Sequence, residues 1–82
     1  MNTDDLIQAV DAALASEWDK AHGIVQQDER GAMACWLHAV LHKIEGDAWN
    51  SRYWYARSSH RYEEWDDARA ELKAIRAELK TP

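Results

Sequence analysis

Cys35 to Ser58 read CWLHAVLHKIEGDAWNSRYWYARS, and the fold turns on this stretch. At about 100° per residue, Met33, Trp36, Leu37, Val40, Leu41 and Ile44 cover one broad side of a helix. Cys35, His38, His42 and Glu45 fall opposite or nearly so. Gly46, with no Cβ, can take the left-handed conformation that closes a helix, and Asp47 beside it offers a carboxylate to cap the next one. The pattern predicts a helical hairpin: one helix from an Asp28 cap to Gly46, another from Ala48 to about Ser58. Trp49, Tyr53 and Ala56 lie on one side of that second helix, Ala48, Ser51 and Tyr55 on another, and Trp54 on a third. A helix that is aromatic almost all round is either buried between neighbours or presents rings to something outside the monomer.

Towards the N-terminus, Thr3 is a candidate cap for a helix over about 4–15, with Asp4 and Asp5 in its first turn and Leu6, Val10, Ala13 and Leu14 on one side. Ser16 followed by Asp19 is a variant capping signature for a helix carrying Trp18, Ala21 and Val25. Gly23 weakens that helix, and one continuous helix through Gln27 fits the same residues. Towards the C-terminus, Ser58 or Ser59 restarts the chain into a long last helix with Trp65, Ala68, Leu72, Ile75 and Leu79 at steps of three and four. Glu63, Glu64, Asp66 and Asp67 near its start and Lys80 at its end complement the helix dipole. Its seam spans barely two heptads, so it is expected to pack on the body of the protein. The expected fold is a single all-α domain over 1–82 with four to five short helices and this C-terminal packing helix. The expected core is Trp36, Leu37, Val40, Leu41, Ile44, Trp65, Leu72 and Ile75.

Composition bounds the function. Eighty-two residues, 46 % apolar and 30 % charged, suit one domain, and β-branched residues never alternate as in a strand. Five tryptophans and three tyrosines supply bulk in a chain with no phenylalanine. A net charge of −5 argues against nucleic acid or an anionic membrane as the main partner, because both need a basic face. No apolar run approaches the roughly 20 residues that span a bilayer. Cys35 is the one cysteine, so no internal disulfide forms. The N-terminal residues lack the basic and apolar regions of a secretory signal, and the expected location is the cytoplasm.

Ala39, Gly46-Asp47, Ser51, Tyr55 and Ser58 follow a small residue, Gly-Asp turn, small, aromatic, small pattern, and in this Cys35–Ser58 resembles a tetratricopeptide or Sel1-type helical hairpin. The family's small residues let two helix backbones approach. Serine stands twice for alanine, and His38 and His42 stand where the family usually places leucine and an aromatic. At an offset of 30, Ala9, Leu14, Ala21 and Val25 align with Ala39, Ile44, Ser51 and Tyr55, which implies two hairpins plus a closing helix. Met33, Trp36 and Val40 would then line the inner face, predicting an apolar ligand or a second copy there. The chain is also similar to short bacterial helical proteins of unassigned activity carrying strings like WDKAHGIVQ and HAVLHKIEGDAWNSRYWYARS.

Three groups of residues carry chemistry. His38 and His42, four apart on one helix, can turn imidazoles to one divalent metal, with Glu45 or His22 completing the site. The zincin pattern is absent, because Ala39 stands where its glutamate would. Cys35 lies mid-helix, away from the dipole end that activates thiols, and reads as a small buried hydrophobe. The pairs Glu63-Glu64 and Asp66-Asp67 read as solvated helix-opening turns. Trp49, Arg52, Tyr53, Trp54 and Arg57, together with Trp36, are the candidate binding residues, rings beside guanidinium groups. The favoured function is a non-enzymatic protein-interaction module, self-association included, with no cofactor. The alternative is a metal- or small-ligand-binding protein, enzymes included, built on His22, His38, His42, Glu45 and Arg52. RNA contact through Arg52, Arg57 and Arg61 is disfavoured by the net charge.

Overall fold

The first two apolar stretches are separate helices because the backbone turns left-handed at Ser16 (φ 63°). In the computed structural model, which describes residues 1–81, α1 spans Thr3–Leu14 and α2 spans Trp18–Val25. Ser16 N–H donates to the Ala13 carbonyl and Glu17 N–H to that of Ala12, the paired bonds that satisfy a helix C-terminus. The same terminator recurs at Gly46 (φ 82°), whose N–H donates to Lys43 while Asp47 N–H donates to His42. It separates α3 (Ala32–Ile44) from α4 (Ala48–Ala56). Trp18 and Ala48 open α2 and α4, so two helical hairpins follow one another along the chain. A closing helix, α5 (Ala68–Leu79), follows them, and no strand occurs among the described residues.

Several predicted helix starts shift. Asn2, not Thr3, caps α1, accepting from Asp5 N–H. Glu17 stands at the α2 start without a side-chain cap, since Ser16 is spent on the turn. Asp28 accepts from Arg30 and Gly31 N–H in a turn that leads into α3, and Gly31 occupies the cap position itself. Asp47 caps α4 as expected, accepting from Asn50 N–H. The last helix does not begin at Ser58 or Ser59. A 3-10 turn over Tyr62–Glu64, closed by Arg61 N–H on the Glu64 carboxylate, intervenes, and Asp67 caps α5. At twelve residues α5 is no longer than α1.

The centre of the bundle is α3, which all four other helices touch. Every residue from Ala34 to Leu41 is buried, including the side that held Cys35 and His38 on the wheel, because α2 and α4 cover what the apolar face leaves over. Trp36, Leu37, Val40, Leu41, Leu72 and Ile75 are core as expected. Ile44 and Trp65 are only half-buried, Ile44 in the last turn of α3 and Trp65 in the loop ahead of α5. Met33, Trp36 and Val40 line no groove. They face the core, with Trp36 and Val40 buried and Met33 packed against them.

Buried in that core is a carboxylate the hydrophobic pattern did not flag. Glu71, fully inaccessible, accepts from Trp36 Nε1 (2.8 Å), Tyr55 Oη (2.6 Å) and Lys43 Nζ (2.9 Å). Burial, then the carboxylate, raises the Tyr55 phenol well above its usual range, so it remains a donor. Lys43 spends its other protons on the carbonyls of Tyr62 and Trp65. The knot ties α5 and the 3-10 turn to α3 and α4.

At the α3–α4 contact, Ser51 is fully buried and its Oγ donates to the Ala39 carbonyl at 2.7 Å. Replacing Ser51 with Ala is expected to lower stability by about 1 kcal/mol, the net worth of one hydrogen bond. Ser51→Leu should cost about 2 kcal/mol or more through overpacking. Urea denaturation followed by tryptophan emission checks both values.

Candidate functional site

Three imidazoles from two helices meet at one end of the first-to-second hairpin contact. His38 and His42 stand one turn apart on α3, and His22 reaches them from α2. His22 and His38 bring their Nε2 atoms to 2.9 Å, and ring centroids in the trio are 4.7 to 5.1 Å apart. One nitrogen from each ring lies within 4.8 Å of the other two. Glu45, at the end of α3, places its two oxygens 3.4 Å from His22 Nδ1 and 3.5 Å from His42 Nδ1, and Asp47 lies 3.8 Å from the latter. Trp54 stacks on His38 with centroids 4.0 Å apart and seals one side of it. The Nδ1 atoms of His38 and His42 are buried without a hydrogen-bond partner. Burial, reinforced by the neighbouring imidazoles, lowers the His38 pKa to about 4 and keeps that ring neutral at pH 7.

The other face of α4 points to solvent. Ser51 and Tyr55 turn inward, which sends Trp49 (76 % exposed) and Tyr53 (46 % exposed) outward. Their rings run nearly parallel, 10° apart in plane, and the Arg57 guanidinium lies 5.7 Å from the Tyr53 centroid. Ring, ring and guanidinium thus form a ladder at positions 49, 53 and 57. Arg52 pairs with Glu63 and lies over Tyr62. Arg57 donates to the Glu29 carbonyl.

The structure therefore brings His22, His38, His42 and Glu45 together and keeps Trp49, Arg52, Tyr53 and Arg57 on the surface. It divides the predicted binding set in two places. Trp36 is buried, bonded to Glu71 and stacked on His60, so it is unavailable to a ligand; Trp54 belongs to the histidine cluster instead of the outer ladder. Asp47, read as a cap alone, also faces His42. Glu71 and Lys43 were missed, although a glutamate three residues after Ala68 and four before Ile75 sits in the apolar seam of α5. Cys35 is a buried thiol whose burial raises its pKa, in keeping with a small core residue. No helix among the described residues is long and apolar enough to cross a membrane. Comparison with protein-family models, curated proteins and solved structures finds no match.

The depressed His38 pKa has a definite sign. The unfolded imidazole takes up its proton near 6.5, the folded one only near 4, so the unfolded state binds more protons between those values. The His38 contribution is complete above pH 6.5 and is lost as the pH falls toward 4, to an extent of about 3 kcal/mol. Urea midpoints between pH 7.5 and pH 4 should fall more steeply for the native chain than for His38→Gln.

Proposed function

We infer that the chain is a non-enzymatic interaction module that associates with a second copy of itself through α4. The observation that carries this reading is the outward Trp49–Tyr53 pair on a helix whose other side is committed to the core. Large rings left in water are the usual anchors of protein contacts. The charge along α4 supports a second copy as the occupant. Asp47, about two-fifths exposed, caps its start, and Arg57 stands at its end. Asp47 and Arg57 are separated by about 15 Å along the helix. Two α4 helices crossing antiparallel about a two-fold axis therefore set rings against rings and acidic ends against basic ends. The likeness of the α3–α4 hairpin sequence to tetratricopeptide-type units agrees with this role, and the buried free thiol suits a reducing cytosol.

A nine-residue helix presents a small face, so the association is weak, with Kd on the order of 0.1 mM. Sedimentation equilibrium up to about 1 mM should give a mass rising toward the dimer. Trp49→Ala with Tyr53→Ala should weaken it by about 2 kcal/mol while leaving the urea midpoint unchanged. A monomer at every concentration contradicts the reading.

A further inference from the structure

We propose that His22, His38 and His42 bind a single borderline divalent cation of the zinc type, with Glu45 orienting two of the imidazoles and water completing the coordination. A tetrahedral ion with nitrogens at about 2.0–2.1 Å requires those nitrogens to lie about 3.3 Å from one another. The 2.9 Å His22–His38 contact and the 4.8 Å limit for the trio bracket that value. His22 is the adjustable member: its side chain is about one-quarter exposed on α2, while Trp54 holds His38 from one side.

Hydrogen bonding between helices explains the His22–His38 pair alone. It gives no role to a third ring packed 4.8 Å from His22 and stacked on His38, which is only 4 % exposed. Glu45 faces the Nδ1 atoms of both His22 and His42, the position of the outer-shell carboxylate that fixes a ligating histidine's tautomer and frees Nε2 for the metal.

The donor set selects the ion. Three imidazoles without a thiolate suit zinc, copper, nickel or cobalt, whereas calcium and magnesium require more oxygens than Glu45 and Asp47 supply. Three protein donors leave a position for water, so the site is exchangeable rather than closed. It joins α2 to the end of α3 behind Trp54, and none of its three histidines belongs to the outward Trp49–Tyr53 face.

The test uses the full chain without a polyhistidine tag, stripped with chelator and titrated with Co²⁺, then Zn²⁺. One equivalent of Co²⁺ is expected to give the visible absorption of a four-coordinate site, displaced by Zn²⁺, with a change in tryptophan emission from Trp54. His22→Ala and His42→Ala should each weaken binding at least about a hundredfold, and Glu45→Gln about ten- to a hundredfold. Trp49→Ala should leave binding unchanged. Circular dichroism identifies variants that remain folded, and His22→Gln substitutes where His22→Ala does not. The proposal is overturned by the lack of saturable one-equivalent uptake, or by undiminished affinity in a folded His22 variant.

Discussion

The carboxylate of Glu71 sets the terms for the rest of this molecule. A buried charge is tolerable only when its lone pairs are occupied, and here an indole, a phenol and an ammonium group occupy them from two other helices. The ammonium of Lys43 is equally committed, with three acceptors for its three protons and the Tyr55 and Tyr62 rings within 5 Å. Neither charge can move without orphaning the other. Apolar side chains tolerate a small rotation of one helix on another, but these directed bonds do not. They therefore fix α5 on α3 and hold Tyr55 against both.

With Tyr55 fixed, the rotation of α4 about its axis is fixed too. Ser51, one turn earlier, must point at Ala39. Trp54, about 100° from Tyr55, must lie over His38, and Tyr53 and Trp49 must face outward. The four aromatic rings of α4 are thus sorted into core (Tyr55), histidine cluster (Trp54) and exposed ladder (Trp49 and Tyr53) by one internal ion pair. The two surfaces with chemical interest share α4 and differ in character. The outer one offers rings and guanidinium groups in water, and the inner one offers neutral imidazoles largely withdrawn from it.

Period and punctuation made the helices legible. Gly46 and Asp47 ended one helix and capped the next as read, and the seam Ala68, Leu72, Ile75, Leu79 remained intact. The terminus of α1 was harder, because serine rarely takes a positive φ and nothing local announced Ser16 as the turn residue. The spacing of Trp65 fits the seam of the last helix, yet Trp65 lies in the loop ahead of α5, where its carbonyl accepts from Lys43. Among candidate site residues, His22, His38, His42 and Glu45 were legible as types at suitable spacing. Their meeting depends on α2 docking against α3, a tertiary fact no single helix pattern contains. Glu71 escaped notice because a charge in an apolar seam acquires meaning only from the partners that surround it.

The central claim is that Glu71 and Lys43 act as one unit. A double-mutant cycle of Glu71→Gln and Lys43→Met, read by urea denaturation, tests it most directly. Each single change should cost about 3 kcal/mol or more by stranding the remaining charge or its donors, and the pair should cost less than the sum by about 1.5 kcal/mol or more. Strict additivity, or single effects below about 1 kcal/mol, would show that the knot is incidental and that apolar packing alone orients α4.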